Sequence, residues 1–189
     1  MKVTPLLERL ESVERSNIAG IMKVLDSMVK CFLLDDDKFY AYGEIKNALT
    51  MHGFEVIASG SFRFGVRHSS AGEKVVFKVT YNKEALGMGK TEYDFYQRVT
   101  DIERPFLAEC VHMGKYVVAM EYIEGSNYVK HTANKDKRFM AKNIPKSIQD
   151  FNHNTVITKE YEDATHANII FSEERGYGVL VDYSLLPWS

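Results

Sequence analysis

At 189 residues, 45% of them hydrophobic, the chain is long enough to bury a sizeable core, as one domain or as two small lobes. Its 24 basic and 26 acidic side chains leave a formal net charge of -2, which excludes a global field drawing it to nucleic acid or to an anionic membrane. Cys31 and Cys110 lie far apart with no CxxC spacing, which argues against a disulfide framework or a thiolate zinc site, and no apolar window reaches the length of a membrane span.

The start, "MKVTPLLERLESVERS", carries charges where a signal peptide needs an apolar core, so a soluble protein of the reducing cytoplasm is expected. Thr4 and Pro5 suit the start of a helix with Leu6, Leu7, Leu10 and Val13 on one face, and Ile18, Ile21, Met22, Leu25, Met28 and Val29 continue the spacing in a second helix. Asp35, Asp36 and Asp37 favour the positive end of a third helix with Phe39, Tyr42, Ile45 and Leu49 on its apolar face.

The texture changes at His52 and Gly53. "FEVIAS", "FRFGVRH" and "KVVFKVT" alternate as strands, broken by Gly60 and by the turn "SSAGEK". "GMGKTEYDFYQRV" has helical spacing, and "AECVHMG" and "YVVAMEYIEG" read as a hairpin closing at Gly114. The order is three strands, a helix, two strands. Short helices are expected around "NKDKRFMAKN" and "PKSIQDFN". A strand, turn and strand then follow within "DATHANIIFSEERGYGVLVDYS".

Polar residues on this framework narrow the chemistry. Gly60, flanked by Ser59 and Ser61, either supplies a positive φ to a hairpin turn or exposes backbone N–H groups to phosphate oxygens. Lys78 interrupts the apolar strand "VVFKV"; it either faces solvent or needs a partner, for which Glu92 on the next helix is the first choice and Glu84 the second. Asp163, Asn168 and Asp182 bring oxygen-bearing side chains to one end of a hairpin, a ligand type chosen by hard divalent ions such as magnesium, although each residue is also ordinary turn chemistry. Lys130, Lys135, Lys137, Arg138, Lys142 and Lys146 form a basic segment, 130–146, that is either a solvated face or a contact for an acidic partner.

Taken in order, "ASGSF", Lys78 in "VVFKV", Glu92, "VVAMEYIEG", "DATHAN" and "VDYS" resemble the signature series of the protein-kinase fold. They match its glycine-rich loop, strand lysine, helix glutamate, hinge, catalytic loop and metal motif, over residues 54–184. The chain is similar in particular to the small early protein kinases of lytic bacteriophages, which modify host enzymes. The resemblance implies a minimal, two-lobed α+β fold: a helical segment at 1–52, an antiparallel five-stranded N-lobe with a helix at 53–124, and a truncated C-lobe at 125–189. It implies ATP and magnesium (Mg2+) as cofactors. Gly60, Ser61 and Phe62 would cover the phosphates, Lys78 held by Glu92 would grip two of them, and Glu121, Tyr122 and Ile123 would hydrogen-bond adenine with Met120 behind it. Asn168 and Asp182 would hold the metal, and Asp163 would orient the substrate hydroxyl and accept its proton.

The departures are specific. Ala58 and Arg63 stand at the first and third glycine positions of the loop, implying a looser or bulkier phosphate cover. Tyr161 and Glu162 replace the His and Arg before the catalytic Asp, leaving no receiver for a phosphorylated activation loop. Thr165 replaces the loop's usual Lys or His; His166 is either a substitute cation or a neutral loop histidine. "DYS" replaces "DFG". Only "LLPWS" follows Ser184, so a peptide platform is not expected, and the N-terminal helices are the candidate for compensating packing that shields the shortened lobe. The expected function is ATP-dependent phosphorylation of Ser/Thr on a protein. The alternative is a pseudokinase acting as a binding or inhibitory protein, with a kinase of small molecules less favoured because residues 125–162 are too few for the enclosing helices.

Overall fold

A computed structural model describes residues 12–35, 39–101, 104–127 and 168–183 of the chain. Asp163, Thr165, His166, the basic segment 130–146, the two short helices expected beside it and residues 1–11 lie outside the described residues. The described residues divide into two compact units, one of residues up to 95 together with Glu109–Tyr122, the other of Tyr96–Ala108 together with residues from 123 on.

The first unit is built on an antiparallel sheet of β1 (Glu55–Ser59), β2 (Arg63–Arg67), β3 (Val75–Thr80), β4 (Cys110–Met113) and β5 (Val117–Glu121), in the order β1-β2-β3-β5-β4. Period-two alternation sets its two faces. Val75, Phe77 and Val79 of β3 are fully buried, with Phe64, Val66, Val117 and Ala119 on the same face. That face is covered by α1 (Ser12–Val29) and α2 (Tyr42–Met51), whose Ile18, Met22, Leu25, Val29, Ile45 and Leu49 join it in one core. At about 1.5–3 kcal/mol for each large side chain buried, this layer is the main source of the unit's stability. α1 and α2, which belong to the N-terminal segment expected to shield the shortened lobe, thus share their core with the sheet. The opposite face carries Val76, Lys78 and Thr80 of β3, opposite Met120, Val118 and Arg63 in the strand register.

Two features fasten the helical layer. Asp26 of α1 accepts hydrogen bonds from the amides of Lys115 (2.7 Å) and Tyr116 (2.8 Å) in the β4–β5 turn. Gly114 is required beside it, since a Cβ there would stand 2.6 Å from Asp26 Oδ2. An Asp26→Ala variant is expected to lose about 2 kcal/mol and melt roughly 4–8 °C lower, read by thermal unfolding. Residues 39–41 run beside 81–83: Lys83 N donates to Phe39 O (2.9 Å) and Ala41 N to Tyr81 O (2.9 Å). This ladder corrects the expected third helix. Backbone groups engaged in strand-like pairing cannot also begin a helix, so α2 starts at Tyr42, and Phe39, expected on its apolar face, is exposed.

A helix, α3 (Met88–Arg98), follows β3, giving the expected succession of three strands, a helix and two strands. The second unit contains a three-stranded antiparallel sheet of β6 (Gly125–Asn127), β7 (Ile169–Ser172) and β8 (Tyr177–Leu180), in which β7 and β8 form the expected hairpin. Gly125 admits no side chain, because a Cβ would collide with the Phe171 carbonyl of the neighbouring strand. Leu107 bridges to Leu180, and Ala108 N donates to Leu180 O (2.9 Å). Among the described residues no helix is long and apolar enough to cross a membrane.

Candidate functional site

The β1–β2 turn holds Gly60, Ser61 and Phe62. Gly60 N donates to Arg63 O (3.0 Å), closing the turn, and the Tyr81 hydroxyl donates to the Gly60 carbonyl. Tyr81 is buried in an aromatic cluster with Tyr40, Tyr42 and Phe64. Burial, reinforced by the neighbouring Tyr40 phenol, pushes the Tyr81 phenol above its ordinary value, so it remains a neutral donor at physiological pH. Gly60 is not among the described glycines with positive φ, and an added Cβ would meet only Arg63 O at 3.5 Å, an ordinary contact. The hairpin alternative for Gly60 therefore fails: the turn itself would accept alanine.

Behind this turn stands a cluster of charges. Gly89 lets α3 approach β5, because a Cβ there would already lie 3.2 Å from Val118 Cβ; Glu92, one turn further along the same face, is brought over the sheet. Glu92 has 0% exposure, and such a carboxylate is tolerated only when its oxygens are satisfied. Its Oε1 accepts from Lys78 Nζ, the first-choice partner, while Arg63 Nη1 donates to Oε2 at 2.7 Å and Nη2 to Oε1 at 3.2 Å. Lys78 and Arg63 retain only 13% and 7% exposure.

Arg63 was expected only as a bulky substitute for a loop glycine, and its engagement of Glu92 is a correction. Arg63 lies on β2, not in the loop. The strand register explains it: Gly65 pairs with Lys78 and Arg63 with Thr80, so Arg63, two places from the residue opposite Lys78, shares its face.

At the expected hinge, Met120 is fully buried and pairs with Val76. The three hinge residues are not equivalent donors. Glu121 N donates to Glu109 O and Tyr122 N to Lys74 O, both at 2.7 Å, so these two amides are engaged within the sheet. The Arg67 guanidinium stands 4.6 Å from the centre of the Tyr122 ring, and Ile123 is buried.

In the second unit, Ile169 pairs with Leu180 and Val181 N donates to Asn168 O (2.9 Å). Asn168 and Asp182 therefore occupy the same open end of the β7–β8 hairpin. Asp182 sits between fastened neighbours. Tyr183, 1% exposed, donates its hydroxyl to Ala108 O (2.6 Å), a tether that "DYS" did not announce. One carboxylate and one carboxamide are hard oxygen donors of the type magnesium takes. Among the described residues no group of three or more His, Cys, Asp or Glu side chains could hold a metal by itself.

The chain is similar to the solved structure of Rad53 1-466 in complex with AMP-PNP, with a TM-score of 0.50 and 16% identity, over 75% of this chain and 43% of that one. It is also similar to the streptomycin-ATP-APH(2")-IIa ternary complex, with a TM-score of 0.41 and 15% identity, over 75% of this chain and 71% of that one. The protein has a kinase-like α+β fold, with the five-stranded antiparallel sheet and accompanying helices. No family model and no curated protein matches the sequence.

Proposed function

We propose that the protein transfers the γ-phosphoryl group of ATP to a Ser or Thr hydroxyl of a protein substrate. The observation that carries this reading is the buried Lys78–Glu92 ion pair on the sheet face left open by α1 and α2, next to a turn whose glycine the fold does not require. Burying an ammonium group is costly unless its charge is used, and a glycine without a conformational duty fits close approach by ligand oxygens.

Gly60, Ser61 and Phe62 cover the phosphates, and Lys78, held by Glu92, binds the α and β phosphates. Met120 lies behind adenine. With the Glu121 and Tyr122 amides engaged in the sheet, adenine takes the Ile123 amide and the Glu121 carbonyl. Asn168 and Asp182 would hold magnesium, which would offset phosphate charge. The substrate hydroxyl attacks the γ phosphorus as its proton passes to the Asp163 carboxylate; the bond to the bridging oxygen breaks and ADP leaves with the electron pair. Positioning and charge compensation supply most of the acceleration. Tyr183, fastened to Ala108, keeps the neighbouring Asp182 in one place through successive turnovers.

The similarity to early phage kinases makes host enzymes of the cytoplasm the proposed targets. Incubation with γ-labelled ATP, magnesium and bacterial lysate is expected to give magnesium-dependent label on Ser or Thr of proteins. Labelling only of sugars or amines would overturn the protein-substrate reading; tight capture of a host protein with no transfer would establish the pseudokinase alternative instead.

A further inference from the structure

The carboxylate of Glu92 has two cationic partners where the expected pair needed one. A buried glutamate held by a lysine alone creates a conflict, because each movement of the amine toward a phosphate would strand the carboxylate in a low-dielectric site. Arg63 removes the conflict. Its fork takes both oxygens, at 2.7 and 3.2 Å, from within the sheet, and a guanidinium matches a carboxylate bidentately where an ammonium acts as a point charge. Arg63 is fixed by its own strand pairing with Thr80, and α3 is fixed against β5 through Gly89 and Val118. The carboxylate is therefore secured by two rigid elements independently of the lysine.

We infer that Arg63 is a positioning residue for the phosphate site: it secures Glu92 by itself, so that the Lys78 charge is directed to the phosphates of the nucleotide. The inference rests on the nucleotide reading above and adds a residue to it. Arg63 touches no reacting atom; it acts through Glu92 on Lys78. In this chain a strand arginine takes over part of the work otherwise left to the lysine–glutamate pair.

The test compares affinities for magnesium-ATP and for adenosine, which has no phosphate, in the native protein and in Arg63→Met and Arg63→Lys variants. Arg63→Met is expected to weaken ATP about tenfold or more, as Lys78 becomes the sole cationic partner of Glu92 and is held there, and to leave adenosine within about twofold. Arg63→Lys, which keeps the charge but forfeits the fork, is expected to weaken ATP by roughly threefold and provides the reading should Arg63→Met not fold. Equal losses for ATP and adenosine would show a merely structural residue and overturn the inference, as would unchanged ATP affinity. Thermal melting supplies an independent arm: Arg63→Met is expected to melt on the order of 10 °C lower, and Lys78→Met by clearly less, because Glu92 keeps its bidentate partner. Equal melting losses would contradict independent anchoring. A native protein that binds neither ligand would defeat the nucleotide reading and the phosphate role together, whereas a native protein that binds both while the variants lose nothing defeats the role of Arg63 alone.

Discussion

Replacing Glu92 by Ala is expected to destabilise the protein by about 3–5 kcal/mol, the loss associated with removing one partner from a buried ionic cluster. The substitution deletes the shared acceptor of Lys78 and Arg63, neither of which is more than 13% exposed, and leaves both cations to find water or another anion inside the sheet–helix contact. Chemical denaturation measures the change directly, as a lowered midpoint at constant slope. The same helix provides a control of opposite character. Lys90 and Asp94 also form an ion pair on α3, but at 66% and 49% exposure, and Asp94→Ala is expected to change stability by less than about 0.5 kcal/mol. Similar effects at the two positions would mean that Glu92 is effectively solvated. Glu92→Gln separates shape from charge: it keeps the acceptor oxygen and the volume, so a loss as large as that of Glu92→Ala assigns the effect to electrostatics.

An Asp163→Asn variant is expected to transfer phosphate about 10²–10⁴-fold more slowly while binding magnesium-ATP within about threefold of the native protein. The carboxamide matches the carboxylate in size and can still orient a hydroxyl, but it cannot take the proton. Placing the loss in the chemical step distinguishes Asp163 from Asn168 and Asp182, whose replacement would weaken the metal-dependent part of nucleotide binding. Single-turnover transfer with saturating ATP, alongside a nucleotide titration, reads both quantities. Undiminished transfer would move the base elsewhere; a collapse of magnesium-ATP affinity would make Asp163 a metal ligand.

Much of the framework was legible because period-two alternation is a local signal. "VVFKV" announces both a strand and the one residue, Lys78, that violates its apolar pattern. The hairpin carrying Asn168 and Asp182 was legible for the same reason, with its glycine-containing turn between two apolar runs. What escaped depended on tertiary pairing. The start of α2 was misplaced because the pairing of residues 39–41 with 81–83 is invisible to helix-start rules that weigh Asp35, Asp36 and Asp37 alone. The tyrosines gave no clue in sequence. Nothing beside Tyr81 or Tyr183 in the chain marks a partner, and only the fold brings each hydroxyl to a backbone carbonyl, of Gly60 and Ala108 respectively. Arg63 depends on pairing in the same way: its place beside Lys78 is set by the β2–β3 register, which alternation within either strand does not specify.

The most direct measurement is calorimetric titration of ATP into the native protein and into Lys78→Met, each with magnesium and with a chelator. The expected result is saturable one-site binding by the native protein that weakens when magnesium is removed, and at least about a tenfold loss in Lys78→Met as its phosphate contact disappears. The contrary result is a folded native protein that takes up no ATP, or one whose ATP affinity is indifferent both to the lysine and to the metal.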